Sequence, residues 1–146
     1  MPVGKKILIV DDEEQIVILL KSRLKAHNFD VVTAKDGIDG LNKVKEEKPD
    51  LLLLDVLMPG LTGNQVVEEI KNLDDSIRKV PIIVMSAKGT MGNFFDAGDI
   101  HCFIPKPFDP KELLNQINLA LKNSQPLKSK TSEVKAEDVV AVATDA

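Results

Sequence analysis

The chain alternates between short, mainly apolar runs and longer segments whose apolar residues recur every three or four positions. Lys5-Lys6-Ile7-Leu8-Ile9-Val10 is the first run, followed by Val31-Val32-Thr33-Ala34, Leu51-Leu52-Leu53-Leu54, Ile82-Ile83-Val84-Met85 and His101-Cys102-Phe103-Ile104. Runs of that length without polar alternation read as strands covered on both faces, as in a parallel sheet. Between the first two, Ile16, Leu19, Leu20 and Leu24 repeat at i, i+3, i+4 and i+8 and predict a helix with one buried face, stopped at Asn28. A second helix opens at Asp36-Gly37 with Ile38, Leu41 and Val44 turned inward, and Pro49 closes that segment. Thr62-Gly63-Asn64-Gln65 has capping-box spacing and starts a third, with Val66, Val67, Ile70 and Leu73 on its inner face. In Ala87 to Gly98 a short or irregular helix is predicted, because Gly89, Gly92 and Gly98 oppose a regular one while Met91, Phe94 and Phe95 need burial. Asp109-Pro110-Lys111-Glu112 supplies an N-cap, a proline at the first helical position and a glutamate three residues after the cap. The stripe of that last helix is Leu113, Leu114, Ile117 and Leu121.

Strands and helices in alternation build an open, doubly wound α/β domain: a five-stranded parallel sheet with helices on both faces. One domain, residues 1–123, is expected. Residues 124–146 turn to Ser, Lys, Thr, Glu, Asp and small side chains and read as a disordered tail, interrupted by the apolar patch Val139 to Ala143. The net charge of −4 argues against a nucleic-acid partner, which needs a basic footprint. The single cysteine, Cys102, leaves no internal disulfide and fits a reducing cytoplasm. No apolar run reaches the roughly 20 residues of a membrane span, and Met1 to Lys6 lacks the features of a signal peptide. A cytoplasmic protein without membrane contact is expected.

In such sheets ligands bind beyond the carboxyl ends of the strands. There the sequence places Asp11 and Asp12, then Asp55 before the turn-prone Pro59-Gly60, then Ser86, then Lys106. Three carboxylates in one pocket repel one another unless a cation is present. Oxygen donors without a nearby His or Cys select a hard divalent ion such as magnesium, with manganese as its substitute. Lys106 and Ser86 offer a fixed positive charge and a hydroxyl, the donors a phosphoryl group needs. The favoured reaction is in-line phosphoryl transfer onto Asp55. Glu13 and Glu14 are accounted for by the dipole of the helix they begin. His27 and His101 read as surface or strand-end residues without a role, and Cys102 as a small buried apolar residue.

Four motifs carry a family resemblance: Ile7-Leu8-Ile9-Val10-Asp11-Asp12-Glu13-Glu14, Asp55-Val56-Leu57-Met58-Pro59 with Gly63, Met85-Ser86-Ala87, and Lys106-Pro107-Phe108. In this order, over about Gly4 to Asn123, the chain resembles the receiver domain of two-component response regulators. The resemblance implies a flavodoxin-like sheet of order 2-1-3-4-5, with Asp55 as phosphoacceptor. The implied donor is a phosphohistidine on a sensor histidine kinase or histidine phosphotransfer protein. Magnesium would be held by Asp12, Asp55 and the Leu57 backbone carbonyl, with Asp11 acting through a bound water. Ser86 and Lys106 would hold the phosphoryl oxygens, Ser86 and Phe103 would form the switch, and the Lys106–Pro107 bond would be cis.

Serine at position 86 replaces the commoner threonine, the Ser86-to-Lys106 stretch is slightly short, and Lys88 lies near the expected phosphate mouth. A monomer or weak dimer is therefore expected rather than the family's standard dimer. The reading is a stand-alone, non-enzymatic phosphoacceptor whose phosphorylated surface binds a downstream protein. One competitor is an aspartyl-nucleophile hydrolase or phosphotransferase, opposed by Leu57 where such enzymes carry a second aspartate. The other is a pseudo-receiver that binds its partner whatever its phosphorylation, opposed by the intact acidic pair, Asp55 and Lys106.

Overall fold

A computed structural model describes residues 4–56, 61–73, 77, 79–87 and 100–122. Strands β1 (Lys6–Val10), β2 (Asp30–Ala34), β3 (Leu51–Asp55), β4 (Ile82–Ala87) and β5 (Cys102–Lys106) pair in parallel in the order β2-β1-β3-β4-β5. The helices of the described residues are α1 (Glu14–Ala26), α2 (Gly37–Glu47), α3 (Gly63–Lys71) and α4 (Pro110–Lys122). This is the expected flavodoxin-like order. The chain steps from β1 to β2 in one direction and from β2 back across to β3 in the other, so right-handed crossovers place α1 and α2 on opposite faces. Ile7 to Val10 and Leu51 to Leu54 are accordingly fully buried, which is why their sequence carries no polar alternation. The outer strands β2 and β5 are only partly covered. The irregular helix expected in Ala87 to Gly98 and the expected tail lie outside the described residues, apart from Ala87, which ends β4.

Two helix faces differ from expectation. In α1, Leu20 and Leu24 are buried and Ile16 and Val17 partly so, while Leu19, assigned inward, is 42% exposed beside Ile18 at 65%. In α2 the buried positions are Gly37, Gly40 and Val44, and Ile38 stands 56% exposed. The helix lies close on the sheet: a Cβ on Gly40 would come within 2.8 Å of Val10 Cγ1. Glycines therefore occupy the contact face, and the large residue beside them turns outward. In α4, Leu113 and Ile117 are buried as expected, joined by Gln116 and Ala120, with Leu114 and Leu121 half-buried.

Local chemistry sets the helix starts. Thr62 and Gln65 form a reciprocal capping box on α3, and the Asp109 carboxylate accepts from the Lys111 N–H at 3.0 Å ahead of Pro110. Gly63 ties α3 to the end of β3. Its N–H donates to the Val56 carbonyl at 2.9 Å, and a Cβ there would meet Val56 Cα at 2.8 Å and the Asp55 carbonyl oxygen at 2.9 Å. Both obstacles are backbone, so Gly63→Ala is expected to destabilise by about 1–3 kcal/mol in urea melts. An unchanged midpoint would show that the connection yields freely.

His101 enters β5 half-buried, its Nε2 3.3 Å from Gln116 Oε1, and Gln116 Nε2 donates to Glu112 Oε2 at 3.1 Å. Burial pushes the imidazole pKa down, against the smaller opposing effect of the Gln116 contact. The unfolded chain thus takes up a proton before the folded one. His101 favours the fold above its ordinary pKa of about 6.5, and that contribution fades as pH falls below it. Melting temperatures should drop between pH 7.5 and 5.5, with a shallower slope in His101→Gln; equal slopes would remove His101 as the cause. Among the described residues no helix is long and apolar enough to cross a membrane.

Candidate functional site

The register fixes which residues meet. Val10 pairs with Leu54, Asp55 with Met85, Ser86 with Pro105 and Ala87 with Lys106. The residues just beyond β1 and at the ends of β3, β4 and β5 therefore share one edge. β2 lies to one side of β1 and β3 to the other, so this edge opens where the strand order reverses.

Asp11 follows β1 with its side chain fully covered: Oδ1 accepts from the Glu13 N–H at 2.9 Å and Oδ2 from Lys106 Nζ at 2.9 Å. Asp12, one residue on, is exposed, and Asp55 closes β3 at 5% exposure. Carboxylate oxygens of Asp11, Asp12 and Asp55 lie within 4.8 Å of one another. This donor set is oxygen only, charged, and held from two adjacent strands, so it fits a hard divalent cation.

Lys106 ends β5 and reaches past the ends of β4 and β3 to the end of β1. Its ammonium donates to Glu13 Oε1 at 2.7 Å and lies 3.6 Å from Asp55 Oδ1. Burial alone would lower its pKa, but the hydrogen bonds to Glu13 and Asp11 and the charges of Asp11 and Asp55 outweigh that and raise it. Lys106 is therefore cationic throughout the neutral range. Among the described residues, three carboxylates face this one ammonium and a fourth, Asp12, lies beside Asp11 and Asp55, leaving the pocket strongly negative. Such a pocket suits a cation, with the Lys106 ammonium beside it.

Ser86 is fully buried within β4, one position before its end. Phe103 is half-buried against the core in β5, opposite Val84. The Lys106–Pro107 bond is cis, as expected. Asp11, Asp12, Asp55 and Lys106 are thus brought together, with Ser86 on the neighbouring strand end. Leu57 and Lys88 lie outside the described residues. Glu13 was the residue sequence reasoning passed over: its charge looked fully explained by the α1 dipole, yet it holds the site lysine. The available signal was a glutamate at an N-cap position, where shorter side chains are preferred.

Comparison with known proteins gives the same picture. The family model of the response regulator receiver domain matches residues 7–118. The alkaline phosphatase synthesis transcriptional regulatory protein PhoP of Bacillus subtilis is 38% identical over 141 residues, covering 93% of this chain and 56% of PhoP. The probable transcriptional regulator ycf27 of Guillardia theta is 38% identical over 122 residues, covering 82% of this chain and 46% of that protein. The chain spans about half the length of these curated relatives. A CheY-like receiver domain protein from Methanospirillum hungatei superposes with a TM-score of 0.76 at 28% identity, over 83% of this chain and 96% of that one. The receiver domain of a Pseudomonas aeruginosa sensor histidine kinase, with a magnesium ion in its active-site cleft, gives 0.74 at 24% identity, over 83% and 100%. With a family match running from the first strand into the last helix, on this strand order and this acidic strand edge, the chain belongs to the response regulator receiver domains, the phosphoacceptor signalling modules of two-component systems.

Proposed function

We propose that the chain accepts a phosphoryl group on Asp55 from the phosphohistidine of a sensor histidine kinase or histidine phosphotransfer protein. It then signals through a protein-binding surface that depends on phosphorylation. The observation that carries this reading is the meeting of Asp55 with Asp11, Asp12 and the Lys106 ammonium at one sheet edge.

Asp12, Asp55 and the Leu57 carbonyl would hold magnesium or manganese, with Asp11 acting through water. The magnesium in the active-site cleft of the P. aeruginosa receiver supports a cation at this edge. Bound there, the ion supplies neutralisation of phosphoryl charge. A carboxylate oxygen of Asp55 attacks phosphorus; the O–P bond forms as the donor's N–P bond breaks, and the electron pair returns to the imidazole nitrogen, which takes up a proton. Lys106 and the Ser86 hydroxyl donate to the phosphoryl oxygens as charge spreads over them.

Hydrogen bonds to charged groups contribute about 1.5–3 kcal/mol each, so two of them shift a two-state equilibrium by roughly two to four decades. Ser86 moving toward the phosphoryl group leaves space that Phe103 fills, which carries the change to the surface of β5. The buried free thiol of Cys102 fits a reducing, cytoplasmic setting, and a monomer or weak dimer is expected. Labelling by acetyl phosphate tests the reading. Expected is incorporation with magnesium and none in EDTA or in Asp55→Ala; an unlabelled wild-type protein at saturating magnesium would overturn it.

A further inference from the structure

The geometry points to Glu13 as a positioning residue, a latch that keeps Lys106 engaged until a phosphoryl group on Asp55 competes it away. The inference rests on the phosphoacceptor reading above.

Lys106 Nζ is 2.7 Å from Glu13 Oε1 and 2.9 Å from Asp11 Oδ2, but 3.6 Å from Asp55 Oδ1. An ammonium has three N–H donors, and the two short contacts take two of them away from Asp55. The two holders differ in how easily they let go. The Asp11 side chain is fully covered and also held by the Glu13 N–H, whereas the Glu13 side chain is 57% exposed at the start of α1. Glu13 is therefore the partner that water can replace when Lys106 turns to an anion on Asp55.

A second observation concerns α1. Glu13 occupies its N-cap with extended φ −87 and ψ 102, the backbone of a capping residue, yet makes no side-chain cap bond. Aspartate, asparagine, serine or threonine would cap there; the longer glutamate reaches across to β5 instead. The helix start gives up a local hydrogen bond, and the site lysine gains a releasable partner.

Breaking a partly exposed ion pair changes an equilibrium by up to about fivefold. Glu13→Gln removes the charge, while Glu13→Asp keeps it but draws it back toward the α1 amides. Both are compared with the wild type for the rate of labelling by acetyl phosphate at saturating magnesium and for melting temperature in metal-free buffer. Expected is labelling about fivefold faster in both variants, with Glu13→Asp melting no lower than the wild type. Faster labelling in Glu13→Gln alone would mean that charge acts at a distance, and the latch would fall. Slower labelling in either variant, or a Glu13→Asp protein that melts lower, would assign Glu13 to catalysis or to holding the site's shape. Unchanged rates in both, on a wild type that labels normally, would remove the latch and leave the phosphoacceptor reading standing. A wild type that takes no label removes both.

Discussion

Lys106→Met is expected to lower stability by about 3 kcal/mol in metal-free buffer at neutral pH, because it takes an ammonium away from two buried carboxylates. The Asp11 side chain is fully covered and that of Asp55 is 7% exposed, and Lys106 is the ammonium that both face. Methionine keeps the aliphatic stem and its packing but offers nothing to either carboxylate. For a domain of this size the loss corresponds to about 10 °C in melting temperature. Magnesium should restore much of it, since a cation bound to the same carboxylates stabilises the folded state by mass action.

The pH dependence has a definite sign. The Lys106 pKa is raised in the fold, so its contribution is complete below the ordinary lysine value of about 10.4 and is lost as pH rises through the higher folded value. Wild-type protein should therefore lose stability on that alkaline limb, and Lys106→Met should lack this component. A methionine variant with an unchanged metal-free melt would mean that the Lys106 charge does not stabilise the fold through Asp11 and Asp55.

Asp55→Asn should abolish acetyl-phosphate labelling while making the metal-free protein more stable. The amide offers no nucleophilic carboxylate, so labelling falls to background. The carboxylate oxygens of Asp11, Asp12 and Asp55 crowd within 4.8 Å, and Lys106 retains Asp11 and Glu13 when Asp55 loses its charge. Relief of like-charge repulsion at that spacing amounts to about 1–2 kcal/mol in a partly solvated pocket. Function is then held against stability at Asp55, as is common at sites built from mutually repelling groups. The gain should shrink as magnesium is added, because the wild-type site binds the ion with one more carboxylate. Equal melting temperatures for both proteins in EDTA would show that the repulsion relieved is no larger than the attraction to Lys106 that is lost.

The sheet was legible because burial on both faces writes an unbroken apolar run, as at Leu51 to Leu54, and strand ends then locate Asp11, Asp55 and Lys106 without side-chain detail. The helix faces were less so. Gly37 and Gly40 form the contact face of α2 but carry no hydrophobic signal, so the pattern pointed to Ile38. In α1 the adjacent Ile18 and Leu19 widened the apolar stripe beyond the part the sheet covers. Glu13 was hidden for a different reason: its partner Lys106 is 93 residues away, and an acidic helix start already has a local explanation. Capping chemistry at Thr62 and Asp109 could be read directly, because both partners fall within one turn.

A crystal structure with magnesium and beryllium trifluoride tests the phosphoacceptor site most directly. Expected is beryllium bonded to an Asp55 carboxylate oxygen, with Lys106 and Ser86 donating to its fluorides. Magnesium should lie about 2.1 Å from oxygens of Asp12 and Asp55. A fluoride adduct on another side chain, or an Asp55 left bare while magnesium is bound, would contradict the assignment of Asp55 as the phosphoacceptor.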